Sequence, residues 1–343
     1  MVIVGGGSIG LAAAVDLTRR GYRIDAIIEA DQHRAASLRC AGRIRLTGLI
    51  GDGELPDPPV SSSCDAVSEA DTVLIATTAD RYEHVAQGMA NHVFARQLVV
   101  LATGYVGGAA RFAAALRRHG TTIADTPAIF ALNTSPYLSY ADGQGAVHVA
   151  AAKSWMEATA VSPGIAKTHA DAIASLFPGC VVADEQMASS LNNPNPIAHV
   201  PAYVLNATQA QNEAAGRIPA GGAFHLSDVT SVQLENLRTR LDDERLEVMA
   251  ALGFASLALS RGDFGNRAYG PGAREASPPR IGPTFQRRFL VEDVPFGLIP
   301  LEMLAQRTGT PVPSITGLID LVNGMTGVDY RAAAPALADL GVV

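Results

Sequence analysis

Val2-Ile3-Val4 opens the chain as a short apolar strand, and Gly5-Gly6-Gly7-Ser8-Ile9-Gly10 follows it directly. Leu11 to Arg20 then carries apolar residues at helical intervals, Gly21 stops the run, and Ile24 to Ile28 reads as a second strand. Strand, glycine turn, helix and strand within about thirty residues is the context in which Gly-x-Gly-x-x-Gly means dinucleotide binding. Gly5 allows the tight turn, Gly7 lets backbone approach a pyrophosphate, and Gly10 lets the helix lie close to the strand. Ser8 and Ile9 supply N–H groups at the helix N-terminus, where an anion is stabilised. A glycine-rich turn in an unrelated fold is the plainer alternative.

The second strand decides between NAD and NADP. A carboxylate at its end accepts from the ribose 2′-OH and repels a 2′-phosphate. Glu29 is the candidate, which favours NAD. Ile28 takes that position if the strand is one residue shorter, and His33 and Arg34 lie close enough to meet a phosphate.

Further apolar runs at Thr72 to Ala76 and Leu98 to Ala102 suit parallel strands covered on both faces. Thr77 and the loop Thr103-Gly104-Tyr105-Val106-Gly107-Gly108 follow them, at the strand ends where ligands of open α/β sheets collect. Thr77 and Gly104 are therefore cofactor-side candidates, with a plain tight turn as the alternative for the loop. Thr121 to Ala124, Ala146 to Ala152 and Cys180 to Ala183 are read as strands, and Lys167 to Phe177 as a helix.

At 343 residues the chain is long for one core. The expectation is α/β: a Rossmann-type parallel-sheet domain over residues 1–185, then an all-α domain over 186–343. The net charge of −7 and the lack of a basic stripe argue against a nucleic-acid binder. Cys40, Cys64 and Cys180 are far apart and form no Cys-x-x-Cys, which reads as reduced thiols in a cytoplasmic protein without a metal site. No signal peptide or membrane-spanning run is expected.

Leu191-Asn192-Asn193-Pro194-Asn195-Pro196-Ile197-Ala198-His199-Val200-Pro201 separates the two textures. The prolines are expected to hold Asn193 and Asn195 extended and to delay a helix to about Ile197. Such a segment aims a polar group, here His199, although a satisfied buried histidine at a domain junction explains it as well. Beyond it, Val232 to Leu257 has helical apolar spacing, Arg261 to Gly282 is irregular, and Leu301 to Thr308 and Ser314 to Asn323 read as helices. Arg287-Arg288 precede Glu292-Asp293 and Pro295-Phe296-Gly297. A surface ion-pair cluster is the ordinary explanation, but the flanking Val294, Phe296, Leu298 and Ile299 favour an interior place for Asp293.

With the glycine turn at the start, Asn195-Pro196-Ile197-Ala198-His199 near mid-chain and Arg288-Phe289-Leu290-Val291-Glu292-Asp293-Val294-Pro295 later, the chain resembles the octopine/nopaline (opine) dehydrogenase family. The likeness runs nearly the whole length, through Gly104 to Gly108, Asp242-Asp243-Glu244-Arg245 and Gly309-Thr310-Pro311-Val312-Pro313-Ser314-Ile315. One departure is Val200-Pro201, where the family more often has proline directly after the histidine.

The resemblance implies NAD(P)H-dependent reductive condensation of an amino acid with a 2-oxo acid through an imine, or the reverse oxidation. It gives His199 the acid/base role, Asp293 the orienting carboxylate that raises its pKa, and Arg288 the carboxylate clamp, with Arg287 pointing elsewhere. Asn193 and Asn195 become substrate-side candidates that could orient the histidine or touch the nicotinamide amide, with a structural turn role as the alternative. The implied partners are small molecules; a homodimer is compatible with the chain, and the oligomeric state is left open. A ketopantoate-reductase-like or 3-hydroxyacid-dehydrogenase-like enzyme is the nearest rival, but such families use a lysine, and only Lys153 and Lys167 exist here. A non-catalytic dinucleotide-binding sensor is the rival from another class, and it predicts loss of the His199–Asp293 pair.

Overall fold

A computed structural model of the chain describes residues 1–161, 163–217, 230–270 and 285–341. Its contacts form two compact units, Met1–Gln186 with Arg267–Pro279, and Met187–Asn266 with Arg280–Val343.

The first unit is built on strands β1 (Val2–Val4), β2 (Ala26–Ile28), β3 (Arg43–Gly48), β4 (Gly53–Pro56), β5 (Val60–Ser61), β6 (Thr72–Ile75), β7 (Leu98–Leu101), β8 (Ala128–Leu132), β9 (Tyr137–Ala141), β10 (Ala146–Ala152), β11 (Met156–Ala160) and β12 (Cys180–Val182). Eight of them form one sheet in the order β12-β11-β8-β7-β6-β1-β2-β5. It is parallel from β8 through β5 and turns antiparallel at the β8–β11 pair. Ile3, Leu74 and Val100 are all but sealed from solvent, as runs of Val, Ile and Leu in a doubly covered sheet must be. Each such side chain contributes about 1.5–3 kcal/mol of burial.

Register makes this sheet a platform. Val4 pairs with Ile75 and Ile75 with Leu101, so β1, β6 and β7 end level. The turn after β1, Thr77 and the loop after β7 consequently lie at one carboxyl edge. The chain leaves β1 toward β2 on one side and returns in β6 on the other, which is a topological switch point.

Helix α1 (Ser8–Arg19) is covered by a second sheet, ordered β4-β3-β10-β9, and Tyr137 donates to Asp16 across that contact at 2.6 Å. Of this sheet the sequence reading anticipated Ala146 to Ala152 alone. A strand at Thr121 to Ala124 is corrected: no strand forms there, and the next one is β8. Thr122 Oγ1 bonds Asp125, and Thr126 Oγ1 returns to the carbonyl of Thr122. These side chains offer the backbone a turn in place of a ladder. The reading of Lys167 to Phe177 as one helix becomes two, Pro163–Thr168 and Ala170–Leu176.

The second unit is helical. The long helix Val232–Ala251 buries Leu234, Leu241, Val248 and Met249, but also Arg238, Asp242, Glu244 and Arg245. These charges are partnered. Arg245 pairs with Asp242 at 2.6 Å and donates to the carbonyl of Leu191 at 3.0 Å. Glu244 accepts from the N–H groups of Ser314 and Ile315, both at 3.0 Å, and so caps helix Pro313–Thr326 from another element. The stretch expected to be irregular begins with a helix, Arg261–Ala268, and its part beyond residue 270 lies outside the described residues.

The proline-rich segment also differs from expectation. Helix Asn195–Leu205 starts at Asn195, with Pro194 already in the α region at φ −79°, ψ −9°. Prolines in a first turn remove N–H groups that have no intrahelical acceptor anyway, so there the pre-proline restriction yields. Pro201 lies inside the same helix. It removes the donor that would reach the carbonyl of Ile197, and Arg238 covers the neighbouring carbonyl of Ala198 with Nε and Nη2 at 3.1 and 2.7 Å.

Candidate active site

His199, midway along that helix, places Nδ1 2.9 Å from Asp293 Oδ2. Asp293 is fully buried, and the histidine side chain is 15% exposed. A carboxylate can only accept, so Nδ1 carries the proton and Nε2 is the basic nitrogen of the neutral ring. Phe289 stacks on the imidazole with centroids 4.2 Å apart and planes inclined by 16°. Ring orientation is therefore fixed at an edge by Asp293 and over a face by Phe289.

Two segments that are far apart in sequence supply this arrangement, and a glycine lets them meet. Val294–Leu298 forms a π-helical turn that runs into helix Ile299–Thr308. A Cβ on Gly297 would lie 2.3 Å from Pro196 Cγ, so only glycine admits the first turn of the His199 helix. π-Turns of this kind recur at functional sites.

Asp293 does raise the histidine pKa, but the net displacement is downward. Burial is the largest influence and carries His199 below its ordinary 6.5; the charge of Asp293 and its hydrogen bond oppose this, and nearby Arg288 and Arg238 add to the lowering. The resting imidazole is neutral at pH 7.

Arg288 is half-buried, with Nε on Gln286 Oε1 at 2.6 Å and its guanidinium 5.2 Å from the Phe289 ring centre. Arg287 is exposed. Asn193 is buried, with Oδ1 accepting from the Asn195 N–H at 3.1 Å, and Asn195 is partly exposed one turn before His199.

In the first unit the glycine turn has the expected geometry. Gly5 takes φ +115° against the carbonyl of Ala76, and a Cβ on Gly10 would fall 1.9 Å from the Gly5 oxygen. Gly7, Ser8 and Ile9 are partly exposed at the start of α1, Gly7 has open space where a Cβ would be, and no side chain caps this N-terminus. Thr77 Oγ1 is buried without a partner in the structure. Open backbone donors and an orphaned hydroxyl at one sheet edge fit a dinucleotide.

Glu29 is 7% exposed and faces this turn. Its carboxylate accepts from the N–H groups of Gly6 at 3.1 Å and Asp31 at 2.9 Å, and Arg34 approaches at 3.3 Å. His33 is exposed. Gly104 has a packing explanation of its own, since a Cβ there would lie 2.3 Å from Ala131 Cβ. The loop around it is buried, and Tyr82 donates to the carbonyl of Thr103 at 2.5 Å. No group of three or more His, Cys, Asp or Glu side chains suited to a metal occurs among the described residues.

The family model for NAD/NADP octopine/nopaline dehydrogenase, alpha-helical domain, matches residues 182–326. That for NADP oxidoreductase, coenzyme F420-dependent, matches residues 1–104. An opine dehydrogenase from Arthrobacter sp. (strain 1C) is 26% identical, covering 99% of this chain and 94% of that protein. These likenesses place the helical part of the chain, residues 182–326, with the opine dehydrogenases. Vitopine synthase from Allorhizobium ampelinum (strain ATCC BAA-846 / DSM 112012 / S4) is 23% identical over 100% of this chain and 95% of its own. Octopine dehydrogenase solved with NADH and L-arginine has the same fold, with a TM-score of 0.67 at 17% identity over 98% of this chain and 93% of that one. The protein is an NAD(P)-dependent oxidoreductase.

Sequence reasoning had not given Phe289, Arg238 or Gly297 a part in this site. Phe289 sits beside Arg288 and was readable only as core. Arg238 occupies a helix position whose charge suggests solvent, and the partner that buries it is a carbonyl forty residues away.

Proposed function

We propose that this protein joins the amine of an amino acid to the carbonyl carbon of a 2-oxo acid and reduces the resulting imine, or runs the reverse oxidation. The observation that supports this best is the His199–Asp293 pair, with its ring fixed in the part of the chain that the octopine/nopaline family model matches. Neutral Nε2 of His199 takes a proton from the nitrogen as it adds to the carbonyl. It passes that proton to the oxyanion, giving the carbinolamine, and a second proton taken up from solvent on Nε2 lets the hydroxyl leave as water from an iminium. Asp293 holds the tautomer and stabilises the imidazolium between these steps. Arg288 grips the carboxylate of the 2-oxo acid through its Nη1/Nη2 edge.

NAD(P)H, when bound, supplies the hydride that the iminium carbon accepts. Gly5, Gly7, Ser8, Ile9 and Gly10 would hold its pyrophosphate, Glu29 its adenosine ribose, and Thr77 and Gly104 border the same sheet edge. Glu29 favours NADH over NADPH, because a 2′-phosphate would meet a buried carboxylate.

The hydroxyacid-dehydrogenase rival needs a catalytic lysine. Lys153 is 7% exposed in the first unit with Nζ on Tyr269 Oη at 2.5 Å, and Lys167 is an exposed residue of a short helix. Neither belongs to the helix that carries His199. A sensor would have no use for the His199–Asp293 pair.

The experiment is to follow oxidation of NADH and NADPH with pyruvate, 2-oxoglutarate or oxaloacetate against a panel of amino acids, each component omitted in turn. Consumption that requires both acid and amine supports the reading; consumption with the 2-oxo acid alone overturns it. The reading places the enzyme in the cytoplasm, where these metabolites meet. No helix among the described residues is long and apolar enough to cross a membrane, and the three cysteines are free thiols. Light scattering decides between a monomer and a homodimer, on which the chemistry does not depend.

A further inference from the structure

Asn193 is 4% exposed, and its Nδ2 is buried without an acceptor in the structure. The orientation of this amide is fixed. Oδ1 accepts from the Asn195 N–H, so a flip would only set the NH2 against another donor. A buried amide donor left unpaired is costly, and such groups in native proteins call for an explanation.

The amide lies at the N-terminus of the eleven-residue helix Asn195–Leu205, where the helix dipole favours an anion. This first turn is poor in backbone donors of its own. Pro194 and Pro196 have no N–H, and the N–H of Asn195 is already taken by Asn193. Nδ2 therefore stands in for the missing donors. His199 follows Asn195 by four residues, on the same helix face and about 6 Å along the axis. One small molecule spans that distance.

We propose that Asn193 Nδ2, at the N-terminus of the His199 helix, binds the α-carboxylate of the amino-acid substrate. The inference rests on the condensation reading above. Joining an amino acid to a 2-oxo acid brings two carboxylates to one nitrogen. Arg288 answers one of them, and a second donor is required for the other.

The plainer account makes Asn193 a helix cap and nothing more. The two accounts separate at N193D, which keeps the cap acceptor, suits the helix dipole and removes the donor. The test is isothermal calorimetry on the NADH-loaded enzyme with the standard L-amino acids, and with the decarboxylated amine of each one that binds. In the wild type an amino acid binds, and its decarboxylated amine binds at least about tenfold more weakly. In N193D the amino acid binds about tenfold more weakly, and the affinity for the amine does not fall. N193S, which also retains a short acceptor without Nδ2, gives the same pattern if N193D does not fold.

The proposal is overturned if either variant binds the amino acid as the wild type does, if the amine binds the wild type as well as the amino acid does, or if no amino acid binds. Binding needs no turnover. Failure of the condensation reading, seen as NADH oxidation by the 2-oxo acid alone, is thereby distinguishable from failure of the carboxylate subsite.

Discussion

Gly297 and Pro196 are in contact so close that a single added carbon would not fit: a Cβ on the glycine would lie 2.3 Å from Cγ of the proline ring. Pro196 belongs to the first turn of the His199 helix, and Gly297 follows Asp293 by four residues. The contact therefore sets the spacing of the His199–Asp293 pair. Gly297→Ala is expected to destabilise the protein by about 1–3 kcal/mol through overpacking. It is also expected to lower kcat/KM by up to about 100-fold, because an ångström-scale shift separates His199 from Asp293. Denaturant unfolding and steady-state kinetics on the same sample check both, and a variant with wild-type kcat/KM contradicts the account.

The histidine gives a signed pH effect. Burial holds His199 below 6.5 in the folded enzyme, whereas the unfolded chain titrates it near 6.5. Between the two values the unfolded state binds more protons. This contribution to stability is therefore complete above pH 6.5 and is lost as pH falls through the window below it. His199→Gln is expected to flatten that part of a stability-versus-pH curve measured by urea unfolding. Asp293→Asn removes the influence that opposes burial and should drive the histidine pKa lower still, as read from imidazole chemical shifts by NMR.

Phe289 covers the imidazole face at 4.2 Å. Such a stack is worth about 0.5–1.5 kcal/mol beyond burial, so Phe289→Leu should reduce kcat by about 2- to 10-fold with little change in cofactor affinity. Phe289→Tyr keeps the ring and should restore the rate. If Leu and Tyr behave alike, the ring is only filling space.

Glu29 joins the glycine turn to the second strand by accepting from Gly6 and Asp31, with Arg34 beside it. Glu29→Ser leaves Arg34 and the exposed His33 facing the ribose position without the competing carboxylate. The ratio of dissociation constants for NADPH and NADH, titrated by protein fluorescence, should shift toward NADPH by about tenfold or more. An unchanged ratio would mean that Glu29 only clasps the loop.

The first twenty or so residues declared the first unit, because strand, tight turn and helix each need a different residue type and all three are present in order. The His199 and Asp293 motifs were legible for the same reason, as polar groups set among prolines or apolar residues. What was not legible depended on partners distant in sequence. β3 alternates buried Ile44 and Leu46 with exposed Arg43 and Arg45, a readable period of two, but its neighbour β10 lies a hundred residues on. Asn195 was expected to be extended because a proline follows it, and the position at a helix start reversed that local rule. The histidine pKa followed its burial rather than its carboxylate, and burial cannot be counted from spacing.

The central claim is that a carbon–nitrogen bond forms before reduction. Mass spectrometry of the product made with 15N-labelled amino acid and NADH deuterated at C4 tests it most directly. The account predicts one product that contains both carbon skeletons and the labelled nitrogen, with one deuterium on the carbon that came from the 2-oxo acid carbonyl. A deuterated 2-hydroxy acid without nitrogen would contradict it.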